Sequence, residues 1–126
     1  MTDGRDRSTQ ELLEELRDSE ERFRLICENA PVMIDQFDAE GRCKLWNRRC
    51  EKFLGYTKEE IEQSVDPLAL CYPEIIERDR VLDAIRRADG TYREYRVRAK
   101  SGEERIQMWA DFRLPNGEKI SVGHDV

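Results

Sequence analysis

Three carboxylates lie close together in this 126-residue chain: Asp35, Asp38 and Glu40. Two carboxylates held in one site can divide general-acid and general-base roles, because proximity pushes their pKa values apart. Here strand alternation and the following turn send the three side chains in different directions, so spacing alone assembles no catalytic pair. Ser-His-Asp and P-loop signatures are absent. The other reactive groups are Cys27, Cys43, Cys50, Cys71 and the single histidine, His124. No two cysteines have the CxxC-type spacing of a zinc site, and one imidazole cannot complete one. Nothing marks the chain as secreted, so disulfides are not expected and the thiols read as small packed hydrophobes. The expectation is a protein that is not an enzyme, with no catalytic residue and no metal.

The bulk numbers point the same way. Charged residues make up 40% of the chain and hydrophobic residues 38%, with a net charge of −6. Duplex phosphate repels such a balance, which argues against nucleic acid as a partner. The first 18 residues are polar and carry no signal peptide. No apolar run approaches the ~20 residues of a membrane helix. A cytoplasmic domain with one modest core is expected.

The positioning elements can be read from spacing. Ser8 and Glu11 have capping-box spacing. Leu12, Leu16, Ser19, Phe23, Ile26 and Ala30 follow with alternating gaps of four and three, the seam of a coiled coil or of an amphipathic helix on its own domain. Ser19 weakens that seam, and Ser19-Glu20-Glu21 could start a second helix. Pro31 ends the helical region. Val32–Phe37 and Arg42–Asn47 read as a hairpin around Ala39-Glu40-Gly41. Arg48–Leu54 is a short helix stopped by Gly55. Thr57 with Glu60 caps the next, and Asp66-Pro67 opens a helical turn through Cys71. Glu74–Ala88 reads as a longer helix. Three strands follow: 92–100, 104–114 and 118–126, the last two joined by an Asn-Gly turn. In the middle one, Ile106, Met108, Ala110 and Phe112 share a face; Ile120 and Val122 are read as inward. The order gives an α+β fold, a five-stranded antiparallel sheet with short helices on one face.

Taken together, several segments resemble the PAS domain family over residues 20–126. They are Glu21-Arg-Phe-Arg24, Glu28-Asn-Ala-Pro31, Asp38-Ala-Glu-Gly-Arg42, Trp46-Asn47, Leu54-Gly-Tyr56, Tyr72-Pro73, Glu94 with Arg96, Lys100-Ser-Gly102 and Asp125-Val126. The resemblance implies a PAS-like sheet and an N-terminal amphipathic helix, residues 1–19, acting as linker or coiled-coil contact in a homodimer. It also implies a bacterial regulatory sensor that relays a signal to an attached output domain such as a histidine kinase. Heme sensors of the family commonly use a histidine on the long helix before the third strand, and Glu74–Ala88 has none. The flavin branch uses an Asn-Cys-Arg-type motif, which neither Cys50 nor Cys71 matches. The sequence therefore specifies no cofactor, and a small-molecule ligand is left without a name.

Asp35 and Gln36 interrupt the first strand, and one of them must face the helices. If Gln36 shares the inward face with Ile34, its amide needs a partner there. On that parity the expected cavity-lining residues are Ile34, Gln36, Cys50, Phe53, Leu70, Val81, Ile85 and Met108. Asp125 is the expected coupling residue, where the domain meets its output. The alternative is a ligand-free dimerisation or protein-interaction module with a filled core.

Overall fold

The computed structural model describes the backbone of residues 2–126 and the side chains from Ser8 onward; of the expected 1–19 segment, only Met1 lies wholly outside the described residues. Helix α1 spans Thr2–Asn29. It runs through Ser19 without a break, and Ser8 lies inside it rather than at its start. The absence of Gly and Pro from Gln10 to Asn29 lets the ladder continue past the serine. Strands β1 (Met33–Phe37) and β2 (Cys43–Trp46) come next. Four helices follow: α2 (Arg48–Leu54), α3 (Lys58–Gln63), α4 (Pro67–Cys71) and α5 (Ile75–Arg87). Strands β3 (Arg93–Arg98), β4 (Glu104–Arg113) and β5 (Lys119–Asp125) close the chain. They form one five-stranded antiparallel sheet of order β2-β1-β5-β4-β3. Helices α2–α5 roof one face, and the core between holds Met33, Trp46, Leu54, Ile61, Tyr72, Val81, Tyr95, Val97 and Trp109.

Local chemistry explains the turns. Asp38 Oδ1 accepts from the backbone N–H groups of Glu40 and Arg42, and its Oδ2 accepts from Arg42 Nε at 2.8 Å. Gly41, at φ 85°, supplies the left-handed residue that closes this turn. Thr57 and Glu60 form the expected capping box. Gly55 ends α2 at φ 83°, and a Cβ there would stand 3.1 Å from the Lys100 side chain. That closeness lets Lys100 N–H donate to Leu54 O at 2.8 Å, tying α2 to the end of β3.

Asn47 makes the central joint and is fully buried. Its Oδ1 accepts from the backbone N–H of Ile34 at 3.0 Å and of Cys50 at 3.2 Å. Its Nδ2 donates to Cys27 O at 2.7 Å and Val32 O at 2.8 Å. One amide thus joins α1, β1 and α2, with both lone pairs and both protons used. Replacing Asn47 with Asp puts an oxygen where two carbonyls need a donor. Urea unfolding should show Asn47→Asp losing at least about 3 kcal/mol of stability; a loss below about 1 kcal/mol would show that the joint is dispensable.

Candidate functional site

The roofed face of the sheet carries an unusual row. Asp35 on β1 pairs in register with Ser121 on β5, which pairs with Asp111 on β4. Trp46 on β2 lies across from Asp35 on the other side. Because side chains alternate, all four point toward the helices. They line a cavity of about 80 Å³ walled by Leu54, Ile61, Leu68, Cys71, Tyr72, Val81, Ile85, Tyr95, Val97 and Trp109. A wider surface groove of about 460 Å³ shares Phe37, Pro67, Leu68, Ile85 and Lys119 with the cavity, so these residues form its mouth.

Two polar atoms on this wall are unsatisfied. Ser121 Oγ donates its single proton to Asp111 Oδ1 at 2.5 Å. Asp35 is 8% exposed, and its Oδ1 has no hydrogen-bond partner among the described residues. Tyr95 is 2% exposed, and its hydroxyl is likewise unpartnered. Burial, above all, raises the Asp35 carboxyl to about 6; Lys119 pulls it back, Asp111 raises it further, and Ser121 lowers it slightly. Buried polar groups of native proteins are nearly always paired, so two orphans on one cavity wall mark a place for something else.

A second polar chain starts from the same wall. Trp109 Nε1 donates to Gln107 Oε1 at 3.0 Å, and Gln107 Nε2 donates to Asp125 Oδ1 at 3.1 Å. Arg105 closes on Asp125 with Nε at 2.9 Å and Nη2 at 2.5 Å, holding that carboxyl below its ordinary range. The Trp109 ring lies against Gly123, where any Cβ would come within 2.4 Å of the indole. Asp125, expected at the coupling position, is thus joined to the cavity wall through two side chains.

Several expected lining residues stand elsewhere. Val81 and Ile85 line the cavity. Ile34, Gln36 and Met108 do not: they point to the opposite face of the sheet, with Ile34 beside Val122, Gln36 beside Ile120 and Met108 beside His124. Ile106, Ala110, Phe112, Ile120 and Val122 share that outer face. The apolar residues of β4 and β5 suggested an inward face, but the helices cover the polar parity instead. Of the pair that interrupts β1, Asp35 rather than Gln36 faces the helices. Cys50 is fully buried on the inner side of α2, while Phe53 and Leu70 pack against the core; none lines the cavity. His124 is exposed and stands edge-on to Tyr92. All four cysteines are buried free thiols. Burial pushes Cys43 and Cys71 up to about 12 and Cys50 higher still, so thiolate chemistry is suppressed. Among the described residues no cluster of His, Cys, Asp or Glu is arranged to hold a metal ion, and no helix is long and apolar enough to cross a membrane. Spacing does not single out Asp111, Ser121 or Tyr95, since each alone reads as a surface or packing residue; the polar interruption of β1 at Asp35 is the one sequence signal of this row.

The chain belongs to the PAS fold family, whose sequence model matches residues 44–110. Domains of this family are generally sensory and non-catalytic modules. Among solved structures, it is similar to a domain of a sensory box sensor histidine kinase/response regulator from Geobacter sulfurreducens. That likeness has a TM-score of 0.71 and 20% identity, covering 87% of this chain and 96% of that one. The PAS domain of an HTR-like protein from Haloarcula marismortui gives a TM-score of 0.62 at 20% identity, over 93% and 99% of the two chains. A LOV protein from Rhodobacter sphaeroides gives 0.67 at 14% identity, over 87% and 68%. No curated protein matches the chain.

The raised Asp35 value fixes a pH dependence for the ligand-free protein. The folded state holds this proton more tightly than the unfolded chain, so the group's contribution is most favourable below about pH 4 and declines as pH rises through about 6. Asp35→Asn removes that decline. Urea titrations across pH should show the variant gaining on wild type over this window, by up to about 3 kcal/mol near neutrality. A difference that stays flat with pH would contradict the burial of an unpaired carboxylate.

Proposed function

We propose that this chain is a regulatory sensor domain that binds a small molecule between its sheet and its helical roof and relays the event to an attached output domain, such as a histidine kinase. The single observation that carries this reading is the cavity with two unsatisfied buried polar atoms, Asp35 Oδ1 and Tyr95 Oη. A core built only for packing gains nothing from such atoms. Residues 20–126 form the sensor body, and residues 1–19 serve as linker and dimer contact. A cytoplasmic bacterial location fits this role. The relay runs from Trp109 through Gln107 to Asp125, at the end of β5. A ligand moves such a relay only by binding its two arrangements unequally. Native mass spectrometry of protein purified without added small molecules should show a bound species that leaves on denaturation. A bare mass, together with no binding from a cell extract, would overturn the reading.

A second reading, a dimerisation module, is favoured by one specific feature. Leu12, Leu16, Phe23 and Ile26 on α1 are all exposed. An apolar stripe along one side of a long helix gains by covering itself with a second copy. Sedimentation equilibrium should find a homodimer that Leu16→Asp dissociates at least about tenfold more readily. A monomer in both cases would remove the dimer contact, leaving the cavity reading untouched.

A further inference from the structure

We infer that the cavity recognises a small primary alkylammonium ion, which Asp35 and Asp111 bind through its N–H donors while the aromatic wall takes its carbon chain. This assignment rests on the sensor reading of the same cavity and names its ligand class.

Ser121 stands between two carboxylates and has one hydroxyl proton, which it gives to Asp111. That leaves Asp35 Oδ1 as a buried acceptor without a donor, even with Ser121 within reach of the carboxyl. A neutral acceptor such as a ketone or an ether offers Asp35 nothing. An anion adds a third negative group to the row. A primary ammonium supplies three N–H donors and a positive charge, enough for Asp35, Asp111 and one further acceptor. The formal charges agree. Two carboxylates and Lys119 line the cavity, leaving one negative charge to be balanced. The Lys119 ammonium does not serve Asp35 by a hydrogen bond; it lies 5.1 Å from the centre of the Phe37 ring at the mouth.

The walls fit the rest of such a ligand. Trp46, Tyr72, Tyr95 and Trp109 offer ring surface, which attracts cations and shelters methylene groups. The Tyr95 hydroxyl is a second buried and unpartnered polar point on the same wall, contributed by a different strand from either carboxylate. The volume sets the size. About 80 Å³ holds roughly three water-sized groups. That admits an ammonium with a two-carbon chain, and a third carbon reaches into the groove behind Phe37 and Ile85.

The experiment is a titration of the full chain with n-propylammonium chloride and with 1-propanol, its neutral isostere. Both tryptophans of the chain line the cavity, so the two indole N–H signals in a 1H–15N spectrum report directly on occupancy. n-Propylammonium should shift both signals, and 1-propanol should bind more weakly. Asp35→Asn should weaken the ammonium about 10- to 100-fold, the range for losing a hydrogen bond to a charged group, and leave 1-propanol unchanged. Asp111→Asn gives the same test should Asp35→Asn fold poorly. Equal binding of both probes, insensitive to either variant, overturns the ammonium assignment and leaves the sensor reading standing. So does failure of both probes when native mass spectrometry still shows a bound molecule. Failure of both probes together with a bare native mass overturns the two readings at once.

Discussion

The parity of β1 is the constraint on which the rest depends, and one buried amide sets it. Asn47 N–H donates to Ile34 O at 3.2 Å while its side chain accepts from Ile34 N–H. That clasp fixes β1 against β2. A slip of one residue would turn Ile34 and Gln36 toward the helices and Asp35 toward the outer face. The same amide holds the last turn of α1 and the first turn of α2. The roof, the sheet and the N-terminal helix therefore share one joint. The chemistry of the cavity follows from that joint, since it decides that a carboxylate and not an amide faces the aromatic core.

The inner face is built from two kinds of group with opposite demands. Trp46, Tyr72, Tyr95 and Trp109 supply apolar surface that stabilises the fold. Asp35, Asp111, Ser121 and Gln107 sit among them, all at least nine-tenths buried. Gln107 is satisfied on both sides by Trp109 and Asp125. Asp111 is served by Ser121. Asp35 alone keeps a buried carboxylate oxygen, Oδ1, without a donor, and burial raises its pKa. Local departures of this kind, kept inside an otherwise consistent core, mark functional or strained sites.

Much of the fold was legible in the sequence because its punctuation is chemical. Asp38 and Gly41 write the first turn, Gly55 ends α2, Thr57 and Glu60 start α3, and Asp66-Pro67 starts α4. Each acts through a local hydrogen bond or a dihedral preference that needs no tertiary context. Strand parity was not legible in the same way. Both faces of β4 hold apolar residues, with Ile106, Met108 and Ala110 on one and Trp109 on the other. Hydrophobic alternation therefore cannot say which side the helices cover. The strand residues of the cavity inherit that ambiguity, so Ile34, Gln36 and Met108 stand on the far face; helix periodicity puts Val81 and Ile85 on the wall but cannot tell them from Cys50, Phe53 and Leu70, which pack into the core beside it. Asn47 was visible only as a polar residue closing β2; its role as a joint emerges from partners that lie 13 to 20 residues away in sequence.

On this reading the space under the roof is shaped for a molecule other than protein. A high-resolution crystal structure of the chain, purified and crystallised without small organic additives, addresses it most directly at the region between Asp35 and Tyr95. Continuous density for a non-protein molecule should lie within hydrogen-bond distance of Asp35 Oδ1. Separate waters that satisfy both orphan atoms, or side chains collapsed into the space, would contradict it.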